Sequence, residues 1–544
     1  MAELILGPLL RFVSETEATI WVEVDSPCEV NVLGRSAPTF HVEGHHYALV
    51  VVDGLEPGTS YEYTVELDGR RVWPEAGSDW PAPSLRTMTG DEDLTIAFGS
   101  CRVAVPHHPP YTLTKDEDKE HGREIDALYA LAHRLRELPR EEWPDLLLMI
   151  GDQVYVDEDA PRTREFIRGR RDTSKPPHEE VADFEEYTHL YRESWSEEVI
   201  RWLFSTVPTA MLFDDHDTHD DWNTSESWCV EMERQPWWRG RIEGALVSYW
   251  IYQHIGNLSP AELERRGLLA KVLAADDAGP LLRRESLEAD SDEGGSIWSY
   301  TRDIGHARLV MLDSREGRVF RPRRQMTDDH EWAWIERQAT GGFDHLLLVD
   351  TLPMLMSPTF HYIEAWDEAV AAGAWGKRFA PIGEKLRRSF DMEHWAAWQA
   401  SFHRVVGLLQ AVASGERGDP PASVLMLGGD IHHAYLAAVE LPGAKSRVWQ
   451  AVCSPFRNPL DRHERVAARL GASRPAERVA RWLARRAGVK DAPINWSLVQ
   501  KPTFDNQFAT LELKGRTARM KIEKTVPGDW QHPKLEVTLE HELT

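Results

Sequence analysis

The feature that most constrains the fold of this 544-residue sequence is a short apolar run, residues 146–150, that ends directly in Gly151-Asp152. Five consecutive apolar residues before a turn signal indicate a buried strand, and a carboxylate that follows such a strand lies in the crevice at the edge of the sheet. Three further runs end within a few residues of Cys, Asp or His: 94–98, 210–213 and 424–427. Core packing alone does not explain four such strand ends, so we predict that they form one site.

Length, charge and cysteine content limit the class of protein. A chain of 544 residues is too long for one ordinary core, so we predict a small domain over residues 1–90 and a large one over residues 91–544. The formal net charge of −27 argues against nucleic acid as a specific partner. Four widely spaced cysteines give no disulfide framework. Nothing in the sequence indicates the oligomeric state.

Localisation is predicted from what the sequence lacks. No apolar run reaches the roughly 18 residues of a transmembrane helix. The N-terminus shows neither a basic signal region nor a twin Arg. We therefore expect a cytoplasmic protein, with an exported form that has lost its signal peptide as the alternative.

The first 88 residues alternate apolar and polar side chains in the manner of strands, with turn signals such as Asp53-Gly54 and Asp68-Gly69 between them. Residues 55–63 resemble the corner of fibronectin-type sandwiches, in which a Tyr hydroxyl holds the turn. We predict a small fibronectin- or Ig-like β-sandwich. Its expected role is packing against the next domain, and ligand binding is the alternative.

From residue 93 strands alternate with helices, which is typical of an α/β domain. Helices are predicted near 125–135, 181–204, 234–256, 329–338 and 392–413. Later strands suggest a second sheet stacked on the first; they are predicted near 434–440, 447–452, 505–513, 517–524 and 534–540. Residues 103–120 and 353–382 lack either pattern, and each is predicted to be a lid or substrate wall or else an ordinary packed loop.

Three of the strand ends supply candidate metal ligands of different chemistry. Asp152 with the phenol of Tyr155 three residues on suits a trivalent ion beside a bridging carboxylate. Cys101 is either a small buried hydrophobe or, as a thiolate, a ligand for iron or zinc. Asp430 and His432 are two positions apart in a predicted extended backbone, so both side chains point to the same face.

The fourth strand end leads into residues 214–223, which hold five Asp and two His. An exposed acidic loop is the ordinary interpretation, but this loop follows a buried strand and needs cations to relieve its self-repulsion. We prefer Asp215 as a metal ligand. His216 is placed to protonate a leaving-group oxygen, which suits the pKa of imidazole.

Together these segments resemble the PhoD-like (alkaline phosphatase D) metallophosphoesterases. The resemblance covers about residues 1–524 and rests on residues 99–101, 151–155, 214–217, 312–318 and 429–432. It implies a four-layer αββα domain, a dinuclear site holding iron and calcium, with zinc or manganese as alternatives, and hydrolysis of phosphate mono- or diesters. It also implies a first ion held by Cys101, Asp152, Tyr155 and His432, a bridging role for Asp152, and a second ion held by Asp215 and Asp430.

The sequence departs from this family at one ligand position. The family usually has Asn four residues after the motif His, whereas this chain has Asp220. We expect the carboxylate to keep a metal-binding role while it raises the charge of the site. Arg102 and Arg315 follow strand ends and are predicted to bind the phosphate-ester substrate, and charge support for the site is an equal prediction for Arg315. The alternative for Arg315 is an ion pair with local acids such as Asp313 or Glu316.

The sequence thus predicts hydrolysis of phosphate esters by a hydroxide that two metal ions activate. One alternative is a phospholipase D-type phosphodiesterase on the same site, favoured if the Trp-containing segment 353–382 forms an apolar groove. The other is a binding protein that keeps the metals without turnover. For the Arg-rich segment 462–486 we predict a solvated helix face, with contact to anionic membrane or a long phosphate substrate as the alternative.

Overall fold

The N-terminal part of the chain is a β-sandwich, in a computed structural model that describes residues 1–91, 93–158, 160–291 and 298–544. One sheet has the strand order β1-β2-β6-β5, the other β4-β3-β8-β9, and β7 pairs with β10. The predicted corner is present, because the Tyr61 hydroxyl accepts a hydrogen bond from the Glu56 amide at 2.9 Å. The strands are β1 Leu4–Val13, β2 Glu17–Val24, β3 Glu29–Val32, β4 Arg35–Pro38, β5 Phe40–Val42, β6 His45–Asp53, β7 Ser60–Glu62, β8 Val65–Leu67, β9 Arg70–Trp73 and β10 Ser84–Arg86.

The strands of the large domain form two sheets. The first has the order β13-β12-β11-β21-β22-β23, with β11, β12 and β13 parallel. The second has the order β14-β15-β16-β17-β19-β18-β20, with β15, β16, β17 and β19 parallel. The strands are β11 Leu94–Gly99, β12 Leu146–Ile150, β13 Thr209–Leu212, β14 Tyr300–Ile304, β15 Ala307–Met311, β16 His345–Val349, β17 Ser423–Gly428, β18 Tyr435–Glu440, β19 Arg447–Val452, β20 Asn495–Leu498, β21 Gln507–Lys514, β22 Thr517–Val526 and β23 Lys534–Glu542.

The apolar side chains of a central strand explain how these layers stack. In β16, Leu347 and Val349 join the core between the two sheets, whereas Leu346 and Leu348 join a core shared with helices. Successive side chains of a strand point to opposite faces, so such a run is buried on both sides. The predicted four-layer αββα architecture is confirmed.

Helices cover the outer faces of both sheets. They are α1 Ala127–Glu137, α2 Pro161–Arg170, α3 Phe184–Trp195, α4 Glu198–Thr206, α5 Glu226–Met232, α6 Trp238–Ser248, α7 Ile255–Asn257, α8 Pro260–Arg266, α9 Leu268–Leu273, α10 Gly279–Ser291, α11 Asp329–Gln338, α12 Pro358–Ala371, α13 Ala380–Ser389, α14 Gln399–Ser414, α15 Arg462–Gly471 and α16 Arg474–Arg486. The helix predicted near 181–204 is thus two helices. The one predicted near 234–256 continues from α6 to α7 through a π-helical segment, Tyr249–His254.

The two segments without a clear pattern differ from each other. Residues 103–120 form turns and loop, as predicted. The expectation of a lid or loop over residues 353–382 is wrong for its central part, which is helix α12. Its Pro358 stands in the first turn, where the missing amide costs no helical hydrogen bond, and its Tyr362 packs on Ala480 and Ala484 of α16.

The sandwich packs against the large domain through one face of its first sheet. Leu9, Trp21 and Tyr47 belong to the core of the large domain, whereas their neighbours Leu10 and Ile20 belong to the core of the sandwich. One face of the sandwich thus packs against the large domain. No helix among the described residues is long and apolar enough to cross a bilayer.

A buried polar cluster ties the same two domains together. Glu23 of β2 is fully buried and accepts a hydrogen bond from Arg192 of α3 at 2.6 Å. His45 of β6 lies between this carboxylate and Glu185 of α3, with its Nε2 2.8 Å from Glu185 Oε2. Burial lowers the pKa of His45, but the hydrogen bonds to Glu23 and Glu185 outweigh it and raise the pKa above its usual value.

We expect His45→Gln to destabilise the protein in a pH-dependent way. Because the folded pKa is raised, the charged hydrogen bonds contribute fully below the unfolded pKa and are lost as pH rises through the folded pKa. The variant should lose about 1–2 kcal/mol of unfolding free energy at about pH 6 and clearly less at about pH 9, measured by urea denaturation. His532→Gln, at a histidine whose side chain is 81% exposed, is the control and should change little at either pH. An equal loss at both pH values would contradict the charged state of His45.

Candidate metal centre

The site lies where the carboxyl ends of strands from both sheets meet. After β11 and β12, the Cys101 amide donates to the Gly151 carbonyl at 3.2 Å. After β17 of the second sheet, the Asp430 amide donates to Ser100 Oγ at 3.0 Å, and the Cys101 thiol donates to the Asp430 carbonyl at 3.4 Å. These bonds join the two sheets at the point where the candidate ligands leave the strands.

The backbone at this junction is strained. Non-glycine residues rarely adopt a positive φ, which costs about 1–2 kcal/mol each. Four candidate ligands do so, with φ angles of 59°, 52°, 65° and 49° at Cys101, Asp152, Asp430 and His432. Strain of this kind is kept where the surrounding structure holds side chains in a working position.

A first ligand group combines sulfur, nitrogen and oxygen. Ligand atoms of Cys101, Asp152 and His432 all lie within 4.8 Å of one another. The Tyr155 hydroxyl donates to Asp152 Oδ2 at 2.9 Å and lies 3.5 Å from His432 Nε2, so its oxygen borders the same space. The structure therefore brings together all four residues that the resemblance implied for the first ion.

A second ligand group consists of carboxylates alone. Oxygens of Asp152, Asp214, Asp215 and Asp430 lie within 4.8 Å of one another. Asp152 belongs to both groups, and Asp214 is a member that the sequence did not single out. The run Asp214-Asp215 was the only local signal for it, because either carboxylate of such a pair can face a crevice.

The pKa values of these groups in the absence of a cation indicate whether the groups are suited to hold a metal. Burial raises the pKa of Asp152, and the charges of Asp215 and Asp430 add to the rise. Burial also raises the pKa of the Cys101 thiol, and the charges of Asp152 and Asp430 raise it further. A thiolate beside these carboxylates is therefore unfavourable unless a cation lies between them.

Two further observations fit a metal. Burial lowers the pKa of His432 to about 3, which keeps the imidazole neutral, the form that binds metals. Asp152 Oδ1 and Asp214 Oδ2 are buried oxygens without a hydrogen-bond partner among the residues described. Buried carboxylate oxygens are normally satisfied, and a cation would satisfy these two.

One counter-charge that the chain itself supplies is Arg315, whose side chain is only 1% exposed. Its guanidinium pairs with Asp214, contacts Glu393 at 2.5 Å and Asp215 at 3.2 Å, and lies 3.6 Å from Asp430. All its partners are carboxylates of the site. These pairs agree with the predicted support of the site's charge by Arg315, and none of them is with the local acids Asp313 and Glu316. Its contact with substrate stays a prediction.

His216 stands beside the two ligand groups with one ring nitrogen already engaged. Its Nδ1 lies 2.8 Å from Asp157 Oδ1, and the imidazole is close enough to Asp152 and Asp215 to form a group with them. Burial lowers the pKa of His216, but the charge and hydrogen bond of Asp157 outweigh it, so the pKa is raised well above its usual value. The sequence prediction did not include Asp157, although it follows Tyr155 by two residues.

A second histidine with a carboxylate partner, His394 with Glu364, lies at the site. The sequence prediction did not connect either residue with it. His394 Nε2 lies 3.4 Å from Asp430 Oδ2, and its Nδ1 lies 2.8 Å from Glu364 Oε1 of α12. Both side chains are buried. The adjacent acid and histidine, Glu393-His394, were the only sequence signal, because Glu364 lies on the helix that was expected to be a lid or loop.

Two predicted site residues lie outside these groups. The Arg102 side chain is 3% exposed, and its guanidinium donates to Asp126 at 2.7 Å and to the Ser194 carbonyl at 2.6 Å. The Arg102 guanidinium is thus engaged in a buried ion pair, and its contact with substrate stays a prediction. The Asp220 side chain is 61% exposed, lies 3.7 Å from His216 Nε2 and is not a member of either ligand group.

The comparison with protein families decides the assignment. Residues 129–482 match the model of the PhoD-like phosphatases, and residues 1–85 match a domain of unknown function, DUF7800. The chain belongs to the PhoD-like phosphatase family. The predicted resemblance is confirmed, and this PhoD-like phosphatase is a metal-dependent phosphoesterase that acts on phosphate esters.

A solved structure has the same fold. The chain is similar to a structure described as "Structure of PhoD", with a TM-score of 0.57 and 12% identity over 99% of this chain and 92% of that chain. It is also similar to purple acid phosphatase PPD1 from yellow lupin (Lupinus luteus) seeds, with a TM-score of 0.46 and 12% identity over 95% and 71% of the two chains. No curated protein matches this PhoD-like phosphatase.

The sequence predicts Asp220 as a metal ligand, whereas the structure places it outside both ligand groups. Two substitutions distinguish these possibilities. Asp152→Asn removes the shared carboxylate while keeping its volume, so the variant should lose bound metal, measured by elemental analysis of protein purified without chelator. Asp220→Asn is the matched control and should keep the metal content of the wild type, because Asp220 is exposed and outside both groups. Loss of metal from Asp220→Asn would instead support the ligand role that the sequence suggested.

Proposed function

We propose that this PhoD-like phosphatase hydrolyses phosphate esters at a dinuclear metal centre with Asp152 as the bridging ligand. The observation that supports this most directly is that Asp152 belongs to both ligand groups. Two-metal phosphoesterases keep their ions about 3.5–4 Å apart. A carboxylate shared between two such groups favours that arrangement.

We infer iron for the first ligand group and calcium for the second. Cys101, His432 and Tyr155 offer sulfur, nitrogen and phenol oxygen, which suit iron, with zinc and manganese as alternatives. Asp214, Asp215 and Asp430 offer only carboxylate oxygens, which suit a hard cation such as calcium. Elemental analysis of the purified protein tests both inferences.

When bound, a pair of cations lowers the pKa of a water molecule and offsets the charge of the phosphoryl oxygens. The chain contributes a proton donor. Because Asp157 engages Nδ1 of His216, the proton available for transfer is on Nε2. In our proposal His216 gives this proton to the leaving oxygen, and Arg315 keeps the carboxylates of the second group aimed at the site.

The proposed role of His216 predicts a change in the pH profile. With its pKa raised by Asp157, the imidazolium persists to higher pH, and activity that requires it falls as pH rises through that pKa. Asp157→Asn removes the charge, so the alkaline fall of kcat/KM should move down by about one pH unit or more. His216→Gln should lose this fall together with most of the activity on esters that have poor leaving groups. An unchanged alkaline limb in Asp157→Asn would contradict the assignment of His216.

A panel of esters tests the substrate class and the two alternatives. An aryl phosphomonoester, an aryl phosphodiester and a phosphatidyl lipid are compared with metal-loaded protein, and a chelator should abolish all turnover. The phospholipase D-type alternative requires an apolar groove in segment 353–382, in which α12 is packed on α16 but Phe379 and Ile382 are exposed. Turnover of an aryl ester without turnover of the phosphatidyl lipid would support the phosphatase, whereas turnover of the lipid would support this alternative. A metal-loaded protein inert towards every ester would favour the binding protein without turnover.

A further inference from the structure

Helix α16 carries apolar side chains on the face that points away from the protein. Ala480 and Ala484 face inward and are buried against α12. Trp482 lies two positions from Ala480, on the opposite side of the helix, and is 56% exposed, while Val479 is 64% exposed. Core packing does not explain a tryptophan on the outward face, because a helix of a globular protein normally presents polar residues there.

The exposed side chains of α16 continue into a neighbouring apolar surface around the start of α13. Trp375 donates from its indole nitrogen to the Arg486 carbonyl at 3.2 Å, and the Arg486 guanidinium lies 5.3 Å from the Trp482 ring centroid. The rings of Trp375 and Phe379 are 6.3 Å apart. We name the exposed apolar side chains of α16 and around the start of α13 the basic apolar face: Trp375, Phe379, Ile382, Val479 and Trp482.

This surface is positively charged, whereas the whole chain is negatively charged. Helix α16 has five Arg and one Glu, whereas the chain has a net charge of −27. In the part of the chain that the structure describes, Arg474, Arg478 and Arg486 form no ion pair, in contrast to Arg481 and Arg485. Exposed lysine and arginine also stand within the apolar surface, at positions 377 and 378.

We propose that the basic apolar face docks the protein on an anionic lipid bilayer. Trp, Phe and Ile enter the boundary between headgroups and acyl chains, while the guanidinium groups extend to the lipid phosphates. A second copy of this chain fits the surface less well, because a twofold contact would place the unpaired arginines of one copy against those of the other. An anionic bilayer satisfies both the apolar side chains and the unpaired charges.

The proposal goes beyond the phosphoesterase activity and does not depend on it. Helix α12 lies between the docking surface and the metal centre. Its Tyr362 packs on Ala484, and its Glu364 pairs with the His394 that reaches Asp430. Docking would therefore hold the catalytic site one helix away from a surface that carries phosphate esters.

Co-sedimentation with lipid vesicles tests the proposal on the full-length protein. Wild type should bind vesicles of phosphatidylcholine mixed with phosphatidylglycerol, bind phosphatidylcholine alone at least about tenfold more weakly, and be released by high salt. Trp482→Ser and the double variant Arg478→Glu, Arg486→Glu should each reduce binding to the mixed vesicles by about tenfold or more. Because these side chains are exposed, both variants should keep the thermal unfolding midpoint of the wild type.

Matched controls change an exposed apolar side chain and an exposed charge elsewhere. Val537→Ser, at a valine 48% exposed on β23, and Arg265→Glu, at a side chain 68% exposed on α8, should bind as wild type does. Absence of binding by wild type, equal binding to both kinds of vesicle, or equal losses in the controls would overturn the proposal. So would a dimer in light scattering that Trp482→Ser dissociates, because the surface would then belong to a second copy. If a variant of the basic apolar face fails to fold, the proposal is judged on the wild-type protein alone, from the dependence of its vesicle binding on lipid composition and salt.

Discussion

Arg315 is the charge on which the site depends. Its buried guanidinium holds carboxylates that enter from separate parts of the chain: Asp214 and Asp215 after β13, Asp430 after β17, and Glu393 before α14. Several buried carboxylates would repel one another strongly at close range. One guanidinium offsets part of that repulsion, and what is left is the charge that metal cations would neutralise. The second ligand group can therefore be assembled by the protein and completed by the ion.

The fold and most of the ligand groups could be predicted from the sequence, because both depend on local patterns. An apolar run marks a strand, and the residue directly after it is at the edge of the sheet, which is why Cys101, Asp152, Asp215 and Asp430 could be named in advance. The sandwich corner at Tyr61 was predictable for the same reason, since five residues separate its two partners.

What the sequence did not reveal depends on contacts between distant segments. Glu364 reaches the site only because α12 packs beside it, and no spacing in the sequence connects it with His394, thirty positions further on. Arg102 and Asp220 show the limit of sequence position. They are close in sequence to members of the ligand groups, but the guanidinium of Arg102 pairs with Asp126 and the carboxylate of Asp220 approaches His216. Sequence position determines where the backbone of a residue lies relative to the end of a strand. The direction of its side chain depends on tertiary packing.

The junction between Cys101 and Asp430 has a consequence for how the protein matures. These residues are 329 positions apart, so a ribosome has made most of the chain before the second half of the junction exists. A cation bound between Cys101 and His432 would then cross-link the two ends of that long loop. Its binding free energy would offset the entropy cost of closing the loop, which grows only slowly with loop length. Metal loading at this site would then require synthesis of the chain past β17, because a shorter chain would carry the aspartates of the first sheet without Asp430 and His432.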